Sequence, residues 1–413
     1  MIRYEGFRLG NGLQVYVHED PATPMAVVNL TYNVGSRDEN ENLTGFAHLF
    51  EHLMFGGTEH IPSYDEHVQN VGGECNAFTS SDITNYYITL PAANVETAFW
   101  LESDRMNGLD INDRTLDIQR HVVIEEYKQR YLNQPYGDLW LKILPLSYSV
   151  HPYRWATIGK DISHIENAST ADVKAFYQKY YNPGNAVLVV AGNVTVGQVR
   201  ELAEKWFGGL PVTEAIQRRL PEEPRQTAPR LDQIEASVPL DAITKSFHMP
   251  GRFQEGFIEA DLLSDILGRG KSSRLFQKLV NESGMFNQIS AQTTSTLDPG
   301  LLIVKGFINP GVSVEEADGA ISAVIRQLVE EGPTEEEVLR AKNQAETTLE
   351  FSQVELLNRA MNLGYAATAG DPDLVNSDIR QLQKVTRNGI AEIGREVLRN
   401  DNCSTLYYRR RQG

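Results

Sequence analysis

The chain is 413 residues long, more than one hydrophobic core usually organises, so two domains of roughly 200 residues each are expected. Apolar residues make up 41% and charged residues 23%, which excludes disorder; the formal charge of −17, with no basic stripe to offset it, excludes a nucleic-acid surface and favours neutral or cationic partners. Two cysteines, Cys75 and Cys403, are too few for a disulfide framework or a thiolate metal cluster, and no run approaches the roughly 18 apolar residues of a membrane span, so the expected compartment is the cytoplasm, or the periplasm if a signal peptide has been removed.

Residues 7–18 read as a hairpin around the tight-turn pair Asn11-Gly12, and 25–34 as a buried strand. The stretch 45–57, Gly-Phe-Ala-His-Leu-Phe-Glu-His-Leu-Met-Phe-Gly-Gly, predicts a helix stopped by Gly56 and Gly57, and a short helix from Pro62 ends at Gly72-Gly73. Strands follow at 76–79 and 85–90, helices at 95–106, 115–131 and 170–181, and an apolar strand at 185–192. From 211 to 239 the residues are mostly Pro, Arg, Glu and Gln, the composition of a linker.

The remainder repeats the first half in the same order: a helix at 259–267 ended by glycines, strands at 288–294 and 301–308, helices at 314–331, 334–351 and 390–398, and a strand at 404–408. The segments beginning at Arg120 and Arg340 keep one helical register across the two halves. The expected fold class is therefore α+β, with two homologous α/β units in tandem, each a mainly antiparallel sheet covered by helices. The expected boundaries are 1–210 for the N-terminal domain, 211–239 for the linker and 240–413 for the C-terminal repeat.

In a helix over 45–55, His48 and His52 lie at i and i+4, about 40° apart around the axis, and Glu51 shares their face. Two neutral imidazoles at this spacing hold one zinc ion, and the glutamate between them is placed to take a proton from a water the metal activates. The competing reading is a solvated helix face, which the surrounding Phe46, Leu49, Phe50, Leu53, Met54 and Phe55 disfavour. A catalytic zinc usually has three protein ligands, and the long helix offers Glu125 and Glu126, one expected to face the site and the other solvent. The helix at 259–267 has no histidine, so metal chemistry is expected in the first half alone and a non-catalytic repeat in the second.

These residues resemble the pitrilysin, insulysin and mitochondrial processing peptidase family of inverted-motif (HxxEH) zinc peptidases, in the short two-domain bacterial type. The resemblance covers nearly the whole chain: His48-Leu-Phe-Glu-His52 with Gly56-Gly57-Thr58, Gly72-Gly73-Glu-Cys-Asn76-Ala77-Phe78-Thr79, Val122-Val-Ile-Glu-Glu126, Tyr181-Asn-Pro-Gly-Asn185 with Val190-Ala-Gly192, and Ser272-Ser-Arg-Leu-Phe276. It implies one Zn2+ per chain on His48, His52 and Glu126, selecting Glu126 over Glu125, with Glu51 as general base. It further implies a zinc-dependent endopeptidase acting on unfolded or extended peptides in a closed chamber, the peptide added as a strand along Asn76, Ala77, Phe78 and Thr79. Asn76 is expected to bond both the peptide and the metal-site helix; the plainer reading of this segment is an edge strand with polar decoration.

Two departures stand out. Seven residues before the ligand glutamate the family commonly has another glutamate, and this chain has Gln119, which with Glu125 would lie just outside the ligands. Many relatives also grip substrate with an arginine and a tyrosine from the opposite wall, and residues 277–286 contain neither. Two-unit relatives close around substrate by pairing chains, so a homodimer is implied, or a heterodimer with an inactive paralogue that supplies the grip. The rival function is a non-catalytic peptide-binding or assembly subunit, and a weaker one a hydrolase of other amides. His18, His60, His67, His121, His151, His164 and His248 follow no ligand spacing, residues 409–411 read as a solvated basic tail, and the Gly-Lys-Ser at 270–272 lacks the spacing of a phosphate loop.

Overall fold

The computed structural model describes residues 1–213 and 216–411; Glu214 and Ala215 of the expected linker and Gln412 and Gly413 of the expected C-terminal repeat lie outside the described residues. Strands β1 (Glu5–Arg8) and β2 (Gln14–Glu19) form the expected antiparallel hairpin. They lead to β3 (Met25–Tyr32), buried almost throughout because its residues are apolar or β-branched apart from Asn29, whose side chain is hydrogen-bonded to Thr31 and Asn85. Helices α1 (Phe46–Leu53) and α2 (Tyr64–Asn70) precede the hairpin of β4 (Glu74–Thr79) and β5 (Thr84–Pro91). Helices α3 (Val95–Asn107), α4 (Asp113–Tyr127), α5 (Leu139–Ser147), α6 (Ser163–Glu166) and α7 (Thr170–Tyr180) follow, then the fully buried β6 (Ala186–Gly192) and α8 (Val196–Phe207).

The second half contains β7 (Arg230–Ala236), β8 (Ala242–Met249), α9 (Phe257–Gly268), β9 (Phe286–Thr293), β10 (Gly300–Ile308), α10 (Val314–Glu331), α11 (Glu335–Ser352), α12 (Leu356–Thr368), α13 (Ser377–Lys384), α14 (Arg387–Val397) and β11 (Cys403–Arg410). One sheet has the order β1-β2-β6-β3-β5-β4 and the other β7-β11-β8-β10-β9. Each has a single parallel pair, β2 with β6 and β7 with β11, and is otherwise antiparallel. Apart from β1, the second order reproduces the first strand for strand, so the internal repeat read from the sequence is a repeat of topology. Both α1 and α9 are entered through a left-handed glycine, Gly45 at φ 90 and Gly256 at φ 86.

The chain forms two compact units that interleave in sequence. One comprises Met1–Lys128, Trp155–Leu220 and Glu350–Ser377, and the other Gln129–Arg154, Pro221–Leu349 and Asp378–Gly413. The contiguous halves expected at 1–210 and 240–413 thus each lend a segment to the other unit. In the first unit α12 lies on β3 and β6, burying Ala360, Leu363 and Ala367 against Val27, Val187 and Val189. In the second, α5 lies on β7, β8 and β11, burying Leu139 and Ile143 beside Ala242, Leu406 and Tyr408.

The stretch read as a linker also contains a strand. β7 runs parallel to β11 at the sheet edge; Ile234 and Ala236 are half-buried beneath α5 while Leu231, Asp232, Gln233 and Glu235 are exposed, so too few apolar positions face the core to mark it as a strand. Among the described residues no helix is long and apolar enough to cross a membrane.

Candidate active site

Helix α1 buries Phe46, Ala47, Leu49, Phe50 and Leu53, and leaves His48, Glu51 and His52 partly exposed on the remaining face. Its buried side is held by aromatic packing: the Phe50 ring stacks on Tyr181 at 4.9 Å and on Phe176 at 5.3 Å, and the Tyr86 hydroxyl donates to the Phe50 carbonyl at 3.2 Å. Beneath Tyr86 lies a buried ion pair. Arg105 donates to both oxygens of Glu102 at 2.8 and 2.6 Å while its guanidinium stands 4.3 Å over the Tyr86 ring and 4.7 Å over that of Tyr64, so the charge is paired as burial demands.

The first turn of α1 has an unusual cap. Gly45 has no side chain to accept the free N–H groups, and the carboxylate of Glu39 does so instead, accepting from Gly45 N at 2.9 Å and Ala47 N at 2.8 Å. A negative charge at this helix end is favourable. Burial nevertheless pushes the Glu39 carboxyl up to about 8, against the downward pull of the two N–H donors. Glu39 was not among the residues singled out from the sequence. The available signal was that a helix starting at glycine needs its first N–H groups capped from elsewhere.

Helix α4 begins at Asp113 and is capped by Asn112, whose side chain accepts from Arg114 N and Thr115 N. It therefore starts two residues before the expected Thr115, and after Tyr127 it loosens into a π-turn over Lys128–Leu132. Val123, Ile124 and Tyr127 are buried, which directs Glu126 to α1. Glu126 Oε2 stands 3.3 Å from His52 Nε2 and 3.6 Å from His48 Nε2. The two imidazole rings are nearly perpendicular, with centroids 4.9 Å apart. One ligand atom from each of the three residues lies within 4.8 Å of the other two, the one such metal-competent group among the described residues. Glu125 points away: 61% exposed, it receives Lys128 Nζ at 2.8 Å.

The donor set fits zinc. Nitrogen and oxygen ligands about 2.0–2.2 Å from a tetrahedral ion stand roughly 3.4 Å apart, a value bracketed by the two separations from Glu126. His52 Nε2 is buried and makes no hydrogen bond, although it faces a carboxylate; a nitrogen lone pair aimed at a cation accounts for that.

The remaining expected residues distribute as follows. Thr79 donates its hydroxyl to Glu51 Oε2 at 2.7 Å. β4 is the edge strand of its sheet and alternates strictly, with Cys75, Ala77 and Thr79 half-buried on the face toward α1 and Glu74, Asn76 and Phe78 exposed on the other. Asn76 consequently turns away from α1, and its Oδ1 accepts the N–H of Ala77 at 2.8 Å; the expected bond to the metal-site helix is replaced by this local one because of the two-residue period of the strand. Gln119 is half-buried on α4 with its amide nitrogen near Gly56.

The family profile described as "Insulinase (Peptidase family M16)" matches residues 14–136, and that described as "Peptidase M16 inactive domain" matches residues 167–345. A Helicobacter pylori protein named zinc protease PqqE is 32% identical over 346 residues, 82% of this chain and 78% of that protein. The crystal structure of a protease from Helicobacter pylori superposes with a TM-score of 0.92 at 27% identity, covering 99% of this chain and 100% of that one. A Pseudomonas fluorescens structure titled as a peptidase M16 inactive domain superposes with a TM-score of 0.89 over 100% and 98%, and at 17% identity it bears on the fold alone.

Proposed function

The chain belongs to the M16, insulinase-type, peptidase family, and on that premise we propose that it is a zinc-dependent endopeptidase of extended or unfolded peptides. One observation supports the reading above the others: a carboxylate on α4 meets two imidazoles on α1 while Glu51, from the same helix face, stands beside an open sheet edge. His48, His52 and Glu126 would hold the zinc, which when bound supplies Lewis-acid polarisation of the scissile carbonyl and a more acidic water.

The chain's own residues account for the rest of the chemistry. Glu51 takes a proton from the attacking water and returns it to the departing amide nitrogen, which leaves the carboxylate as it began. The peptide lies against β4 as an added strand, bonded by backbone groups, so extended conformation is recognised ahead of sequence. Ala77 and Thr79 present the edge, and exposed Phe78 and Asn76 flank it. Pairing with a second copy, or with an inactive paralogue, would close the site and supply a grip absent from residues 277–286.

The test is zinc analysis of the purified protein, native mass measurement with metal retained, and turnover of a quenched peptide library. Stoichiometric zinc with chelator-sensitive cleavage inside peptides is the expected result. Retention of peptides without cleavage would instead indicate a peptide-binding subunit.

A further inference from the structure

Thr79 and Glu51 belong to different elements, the end of β4 and the middle of α1, and meet at 2.7 Å. We propose that Thr79 is a positioning residue for the general base: its hydroxyl holds the Glu51 carboxylate in one rotamer and ties that rotamer to the strand on which the peptide lies. This rests on the peptidase reading above. With Oε2 engaged by the hydroxyl, Oε1 is left for the transferred proton.

The contact is built from one anchor. Ser80 N bonds Ile83 O at 2.8 Å and closes the β4–β5 hairpin immediately after Thr79. The carbonyls of Ser80 and Ser81 accept from Ser36 N at 3.2 Å and Arg37 N at 3.0 Å, and Arg37 pairs with Asp82 at 2.8 Å in near-complete burial. Gly35 lies so close that a Cβ there would be 2.4 Å from the Ser81 carbonyl, so the two segments cannot be separated by any side chain at 35. The same segment then supplies Glu39, whose carboxylate holds the first turn of α1. Residues 35–39 thus fix both the strand end bearing Thr79 and the helix bearing Glu51, and the contact between them is preorganised.

Strand geometry connects this contact to the open edge. The bonded pair Ser80–Ile83 makes Thr79–Thr84 a pair without mutual backbone bonds, and likewise Ala77–Tyr86, so the backbone groups of Thr79 and Ala77 point to the free side of β4. The N–H of Ala77 taken by Asn76 Oδ1 agrees with that phase. A strand added along this edge bonds the backbone of the residue whose side chain orients the base, so occupancy of the edge and alignment of Glu51 are coupled through one residue.

Three substitutions test this: Thr79→Val, isosteric and lacking the donor; Thr79→Ala, a second donor-free variant; and Thr79→Ser, which retains the hydroxyl. In crystals of the metal-free proteins, Glu51 should keep its wild-type rotamer in Thr79→Ser and leave it in Thr79→Val and Thr79→Ala. With zinc at wild-type stoichiometry, both donor-free variants should lose about tenfold in kcat with KM changed less than about twofold, and Thr79→Ser should stay within about twofold of wild type. An unmoved Glu51 in both donor-free variants, or a Thr79→Ser enzyme as impaired as Thr79→Val, would overturn the assignment. If wild type cleaves no peptide, the peptidase reading fails, and the Glu51 rotamers still decide the positioning role.

Discussion

Glu126 Oε2 stands 3.3 Å from His52 Nε2, whereas its neighbour Glu125 lies in solvent against Lys128. Adjacent helix positions differ by about 100° around the axis, so α4 directs one of two chemically identical carboxylates to α1 and turns the other out. Glu126→Gln should weaken zinc binding on the order of 100-fold or more, and Glu125→Gln by less than about twofold. Competition with a chromogenic chelator measures both. Equal losses would undo the choice of Glu126 over Glu125 as the ligand.

Glu51 stands on the face of α1 that carries the two histidines without joining their cluster with Glu126. Glu51→Gln keeps the shape and a hydrogen-bond acceptor for Thr79 but has no basic site. Zinc content should remain at the wild-type level while kcat for peptide cleavage falls on the order of 10²–10⁴-fold. A variant that binds zinc and retains undiminished turnover would remove Glu51 from the chemistry.

The parts of the site legible in the sequence were those encoded by local spacing: His48, Glu51 and His52 share a face because helix geometry places them there. The choice between Glu125 and Glu126 depends on which side of α4 is buried, and resemblance to a family had to supply it. Glu39 escaped notice because its link to α1 skips over the residues between it and Gly45, leaving no helix-start pattern at the helix start itself. In the fold, β3, β6 and β10 were legible because most of their residues are apolar or β-branched, whereas the equally buried β8 was not, since Thr244, Lys245, Ser246 and His248 interrupt its apolar run. Nor was β7, since of its apolar residues only Ile234 and Ala236 turn toward the core while Leu231 is exposed, too few to show a period. α5, α6, α8, α12 and α13 went unread, and two of these, α5 and α12, are the segments whose compact unit differs from that of their neighbours in sequence.

Glu39 predicts a pH dependence of stability. Its folded carboxyl is raised to about 8 by burial, while an unfolded glutamate titrates near 4.3. Between those values the native state holds a proton that the unfolded state has lost, so this contribution is complete below the unfolded value and disappears as pH rises through about 8. Melting of the metal-free protein should fall across that interval. Glu39→Gln should melt lower throughout, because one of the two N–H groups loses its acceptor at a cost of about 1–3 kcal/mol, but should have a flatter profile. A wild-type slope retained in Glu39→Gln would assign the dependence to another group.

Gly364 sets two effects of opposite sign against each other. It lies within α12, where alanine is favoured over glycine by about 1 kcal/mol on propensity alone. A Cβ at 364, however, would stand 2.7 Å from Thr31 Oγ1 and 3.0 Å from Asn29 Nδ2. Neither atom is the loose end of a mobile chain: Asn29 donates to Thr31, Thr31 to Asn85 and Asn85 back to Asn29, at 3.0, 2.7 and 2.9 Å, in a closed buried ring. Relieving the clash means breaking that ring or lifting α12 off β3, and overpacking of this kind costs about 1–3 kcal/mol. Gly364→Ala should therefore lower the melting temperature. Gly319→Ala supplies the control, since Gly319 is exposed on α10 with nothing within 4 Å of its would-be Cβ, and there propensity acts unopposed and should stabilise. If both alanines stabilise equally, the close approach of α12 to the first sheet is not what holds that segment in place.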